Sequence, residues 1–151
     1  MTMNKAALKD VGMFLATYNI CHPKRVGEDL FHLQLAVSTP NKQIGGTGII
    51  SNGSINPNFE IPTNLNGRFS VMTIMPNTTH IQIVATGYPD FSYPVYGGNK
   101  PVQTPNVELV MVLNEDWKTG TANYRYLNSA GQWQEMEDIP VNIIESKTLT
   151  T

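Results

Sequence analysis

PNVELVMVLNEDWKTGTANYRY, residues 105–126, sets two strand-like runs on either side of a polar turn. In the first run Val107, Leu109, Met111 and Leu113 fall on one face, and Val110 and Val112 make the other face apolar too. Side chains alternate across a strand, so apolar residues on both faces predict a central strand covered on both sides. In the second run Ala122, Tyr124 and Tyr126 share one side. Residues 114–120 between them supply the turn, with Glu115 and Asp116 beside Trp117, one of two tryptophans in the chain. Asn114, Glu115 and Asp116 offer three oxygen ligands to a cation. A calcium loop alternates its ligands around a fixed glycine, however, and this turn does not. Capping of backbone amides by Asn114 or Asp116 is the expectation.

The same alternation recurs outward from that stretch. In residues 29–39, DLFHLQLAVST, Phe31, Leu33, Leu35 and Val37 face one way while His32, Gln34, Ala36 and Ser38 face the other. In residues 13–20, MFLATYNI, Phe14, Ala16, Tyr18 and Ile20 share a face. Residues 68–75, opened by a boundary at Asn66-Gly67, and residues 79–87 are strands joined by so short a connection, at Pro76-Asn77, that they predict a hairpin. Residues 42–51, KQIGGTGIIS, form a glycine-rich strand. The lysine, hydroxyl residue and following helix of a phosphate loop are absent, so Gly45, Gly46 and Gly48 predict a bulge or close backbone packing. Residues 58–61 are expected as a short edge strand between Pro57 and Pro62. Beyond residue 126, Asn128–Gly131 predicts a hairpin loop with its glycine left-handed. Residues 132–136 pair back from it, and residues 139–145 make the last strand.

About nine strands with turn signals and no crossover helices predict an all-β fold, an antiparallel two-sheet β-sandwich, with a partly closed β-barrel as the alternative. Residues 1–11 are expected as an N-terminal arm carrying the one helix candidate, residues 12–145 as a single domain, and residues 146–151 as a polar tail.

Composition narrows the function classes. Charged residues make up only 15% of the 151, well under the roughly 25% of an average soluble domain, and the net charge is −2. No basic field exists to hold nucleic acid, so no nucleic-acid partner is expected. Asn and Thr supply neutral polarity instead, and a weakly charged surface lacks the self-repulsion that keeps copies apart. The single cysteine, Cys21, excludes an internal disulfide and a cysteine-built zinc site. No apolar stretch approaches the ~20 residues of a membrane helix, and the opening residues lack the pattern of a signal peptide. A cytoplasmic location is therefore expected.

The stretches NVELVMVLNEDWKTGTANYRY and GQWQEMEDIPV, together with VGMFLATYNI and GRFSVMTIMPNTTHIQIVATGYP, resemble a small bacterial family known as a domain of unknown function (number eighteen forty-two). The resemblance runs from about Val11 to Ile144. It implies a single compact bacterial domain and, the family name carrying no activity, transfers no catalytic residues.

Candidate sites are few. His32 and His80 both sit on strands; with Glu108 close by they would make a metal site, but nothing in their spacing brings them together. Cys21 and His22 are neighbours whose side chains point to opposite faces of an extended backbone, which argues against a catalytic dyad. Tyr88, Phe91, Tyr93 and Tyr96 stand among prolines and glycines in the one long irregular segment. They are the best surface candidates, able to anchor a protein partner or stack on a sugar ring. No nucleophile–base pair emerges and no cofactor is expected. The reading is a non-enzymatic protein acting through self-association or protein binding; a neutral-glycan, lectin-like module is the alternative, and a metal-dependent or hydrolytic enzyme the second.

Overall fold

Ten strands succeed one another in the computed structural model, which describes residues 12–22, 28–52, 56–74, 78–89, 93–94, 101–102 and 104–148. They are β1 (Met13–Ile20), β2 (Leu30–Ser38), β3 (Gln43–Asn52), β4 (Asn56–Ile74), β5 (Thr78–Tyr88), β6 (Tyr93–Pro94), β7 (Pro101–Val102), β8 (Val107–Asn114), β9 (Thr119–Leu127) and β10 (Trp133–Thr148). The two-residue β6 and β7 pair only with each other. The other eight run antiparallel, each beside the next in sequence, and β1 closes the ring by pairing with both β2 and β10. The expected sandwich is thus a closed eight-stranded up-and-down barrel. A ring and a sandwich bury the same alternate residues, so period two does not separate them.

Strand length does separate them. β4 spans 19 residues and β10 spans 16, because each leaves one neighbour and joins the next as it tilts around the barrel. The first part of β4 pairs with β3 alone, and pairing with β5 begins at Asn64↔Tyr88. β10 pairs with β9 from Trp133 to Asn142 and with β1 from Val141 to Thr148. Bulges at Ile144 and between Met136 and Ile139 bend β10 through this change. The short strand expected between Pro57 and Pro62 is therefore part of β4, the last strand continues past residue 145, and Asn66-Gly67 lies within a strand. Pro62 is tolerated because its carbonyl faces Asn106, away from β3; its missing N–H is lost from an edge that β5 has not yet reached.

An eight-stranded barrel has an interior just wide enough for side chains to fill. Phe14, Ala16, Tyr18 and Ile20 of β1, Phe31, Leu33, Leu35 and Val37 of β2, and Val107, Leu109, Met111 and Leu113 of β8 are all buried there, as their alternation predicts. The outer face of β8 is not covered, however: Val110 is 38% exposed, where apolar residues on both faces had predicted a buried central strand. Curvature demands glycine at the tightest approaches. A Cβ on Gly46 would lie 1.9 Å from the Gln34 carbonyl oxygen, and one on Gly67 would lie 2.0 Å from that of Val84. Asn66-Gly67 is thus a barrel corner rather than a turn.

One end is stoppered by Trp117. The Asn114–Trp117 turn is closed by Trp117 N–H donating to the Asn114 carbonyl at 2.9 Å, and Asp116 Oδ1 accepts from the Lys118 amide at 3.0 Å, as the capping expectation required. Trp117 itself adopts φ 67°, a left-handed conformation that costs a non-glycine residue ~1–2 kcal/mol. Its indole is 1% exposed and packs edge-on against Phe14 and Phe69, with centroids 5.1 and 5.0 Å away. The Tyr18 hydroxyl rises through the interior to donate to the Trp117 carbonyl at 2.8 Å. The helix candidate and arm at residues 1–11 lie outside the described residues, among which no helix is long and apolar enough to cross a membrane.

Trp117→Gly removes the stopper and the backbone strain together. Loss of a buried Trp costs ~3–5 kcal/mol and relief of strain returns ~1–2, so a net loss of about 2–3 kcal/mol is expected in urea unfolding. A variant as stable as the parent would show that the indole does not seal the barrel.

Candidate functional site

The end opposite Trp117 gathers the long β5–β8 connection and the polar groups that fasten it. Asn106, just before β8, ties four segments together. Its N–H donates to Gly87 O (2.9 Å), its carbonyl accepts from Leu127 N (2.9 Å), its Nδ2 donates to Pro62 O (3.1 Å), and its Oδ1 accepts from Thr63 Oγ1 (2.7 Å). Both Asn106 and Thr63 are buried, and their polar side-chain atoms find partners in these bonds. The resulting clamp fixes both feet of the loop, since Gly87 precedes it and Asn106 follows it.

Inside this mouth Phe31 meets Tyr124 edge-on at 5.0 Å, and Tyr124 stacks on Tyr126 at 6.3 Å. The Tyr126 hydroxyl donates to Asp29 at 2.6 Å, bridging β9 to the start of β2. The Tyr124 hydroxyl is buried without a hydrogen-bond partner. Burial, followed by the charge of Asp29, raises the Tyr124 phenol well above its ordinary range. Burial and the hydrogen bond to Asp29 raise Tyr126 likewise, and burial with the nearby Asp116 raises Tyr18.

The outer wall carries a different arrangement. Glu108, Arg125 and Glu135 lie side by side across β8, β9 and β10. The Arg125 guanidinium is ion-paired to Glu108 and lies 4.5 Å over the ring of Trp133, which is itself 38% exposed. The Glu108 hydrogen bond, more than any other influence, holds the Arg125 pKa above its usual value. In the next row Val110 and Val84 stand adjacent and exposed. Trp133 begins the part of β10 that has no β1 partner, an edge whose outward Glu135, Glu137 and Asp138 discourage further strand pairing.

The residues singled out by sequence are scattered. His32 and His80 lie on β2 and β5, three strands apart and so at least ~14 Å around the wall. Glu108 sits opposite Thr86, six residues along β5 from His80, or ~20 Å. These three do not form a site, and among the described residues no group of three His, Cys, Asp or Glu could hold a metal ion. His32 is instead hydrogen-bonded across the strand to Asn19 at 2.8 Å. Of the loop tyrosines, Tyr88 ends β5 and is half-buried; Phe91 and Tyr96, and the side chain of Tyr93, lie outside the described residues. Sequence reasoning missed the Trp133–Arg125 pair. Its signal is the alternation of Arg125 with the inward Tyr124 and Tyr126 across a short hairpin from Trp133.

The chain belongs to the family described as a domain of unknown function (DUF1842), whose profile matches residues 11–133. No curated protein matches it.

The three raised phenols have a consequence in alkali. A raised tyrosine pKa favours the neutral form in the folded state, so its contribution is complete below the unfolded value of ~10 and is lost as pH rises beyond it. Thermal stability should hold up to that pH and then fall. Tyr124→Phe, which deletes an unpartnered hydroxyl, should cost less than about 1 kcal/mol at neutral pH and make the alkaline fall shallower. A large loss at neutral pH would mean that the hydroxyl has a partner.

Proposed function

We propose, for a member of a family whose description assigns no activity, a non-enzymatic protein that works by self-association through its outer wall. The observation that carries this reading is the exposed Trp133 beneath Arg125, on the wall where Val110 and Val84 are also exposed beyond the Glu108–Arg125–Glu135 row. Trp and Arg are the residues most enriched among those that dominate binding energy. The row Glu108–Arg125–Glu135 carries both signs, so a two-fold axis set beside Arg125 would place each arginine against a carboxylate of the other copy. A net charge of −2 offers little repulsion between copies.

Three further features support it. The described inward side chains are buried against one another, as in a barrel whose interior side chains fill, which favours binding at the surface. Inward positions are mostly apolar and most outward ones are polar, the reverse of a barrel whose outer band faces lipid. The acidic end of β10 opposes strand addition, so copies would meet face to face rather than edge to edge.

Light scattering over a concentration series should show a reversible dimer. Trp133→Ala should weaken it by about 2 kcal/mol, some thirtyfold in dissociation constant, with no change in melting temperature. A strict monomer at high concentration, or a dimer indifferent to this substitution, contradicts the reading.

A further inference from the structure

One turn is built three times in this fold. In Thr39–Lys42, Asn114–Trp117 and Asn128–Gly131 the N–H of the fourth residue donates to the carbonyl of the first, at 3.3, 2.9 and 3.0 Å. In each the fourth residue is left-handed, with φ of 54° at Lys42, 67° at Trp117 and 79° at Gly131. Glycine is the inexpensive residue for that position, and the 128–131 turn uses it. The other two place a lysine and a tryptophan there instead, against the backbone's preference. Those two side chains line the same pocket, at the stoppered end of the barrel. Strain of this kind persists where the displaced side chain has a task.

The pocket has a volume of about 280 Å³. Trp117, Phe69 and Ile81 form its floor, and Val71, 52% exposed although on the inward register of β4, forms a wall with Thr79. Lys42, on the β2–β3 turn, and Glu115, on the β8–β9 turn, stand on its rim with β4 and β5 between them. Trp117 Nε1 is buried without an acceptor. An apolar floor with a few polar groups at the rim is the common form of a small-molecule site. A dry cavity of ~150 Å³ already admits benzene, so this one has room for a ring or branched chain with a small polar head.

The geometry points to a binding site for a free α-amino acid with an apolar or aromatic side chain. Its carboxylate meets Lys42 and its ammonium meets Glu115, whose carboxylate oxygens accept more than one hydrogen bond. Its side chain lies on the exposed Val71 and against the edge of Phe69, above the buried Trp117 indole. Rim groups of opposite charge beside an apolar floor match a zwitterion and disfavour ligands that carry only one of the two charges. This site lies away from the Trp133 wall and stands independently of self-association.

The test is titration of the ¹⁵N-labelled full chain, followed at the Trp117 indole N–H and the Lys42 amide, with Trp133→Phe used to assign the indole signals. Phenylalanine should give saturable shifts. Phenethylamine, lacking the carboxylate, and 3-phenylpropionate, lacking the ammonium, should each bind about tenfold more weakly. Lys42→Gly and Glu115→Gln should each lower phenylalanine affinity by about the same factor. Lys42→Gly, relieved of strain, should melt no lower than the parent, so its loss of binding is not a loss of fold. Val71→Trp should fill the pocket and abolish the shifts. No shift with phenylalanine up to its solubility, equal binding of either single-charge analogue, or undiminished affinity in Lys42→Gly overturns the proposal.

Discussion

β1 is hydrogen-bonded along both edges, to β2 from Met13 to Ile20 and to β10 from Phe14 to Ile20, and the rest of the architecture depends on that double pairing. Without it the meander from β2 to β10 would be an open sheet with two exposed edges. With it the sheet must curve through a full turn, which requires glycine where Gly46 and Gly67 pass within touching distance of the next strand's carbonyls. The inward residues then meet at a common axis. Their side chains are buried there, and the pockets described lie on the wall and at an end.

Each end is sealed in its own way. At one, a single indole is driven inward by a turn in an unfavourable conformation and held by the Tyr18 hydroxyl through its backbone carbonyl. At the other, the Phe31–Tyr124–Tyr126 stack fills the mouth, while Asn106 fastens the loop's two feet to β4 and β9. The difference is physical. Among the described residues the Trp117 end is crossed by short turns, one of which sends a large side chain inward; the other end carries a long connection whose two feet are anchored.

Much of the strand content was legible because burial on one face imposes period two. Phe31 to Val37 and Phe14 to Ile20 declare their inward faces without help from structure. Closure was not legible, since no property of β1's sequence says whether its second edge is paired. The long strands were hidden by their own punctuation. Pro57, Pro62 and Asn66-Gly67 read as boundaries, yet Pro62 sits where its missing N–H is not needed and Gly67 sits at a corner where a Cβ would collide. Val110 was misread because an apolar residue on an outer wall has the same pattern whether covered or bare. Trp117 was missed for a sharper reason: a polar turn flanked by acids predicts solvent exposure, and nothing local announces a bulky residue in a left-handed conformation. As for function, low charge suggested association, but the face with Trp133 and Arg125 emerges only when β9 and β10 are laid side by side.

The central claim is closure, and nuclear Overhauser contacts of β1 test it most directly. A closed barrel predicts cross-strand backbone contacts of Leu15 with both Ala36 and Lys147, and of Asn19 with both His32 and Asn142. Contacts of β1 with β2 alone, and none with β10, would leave an open sheet and contradict the account.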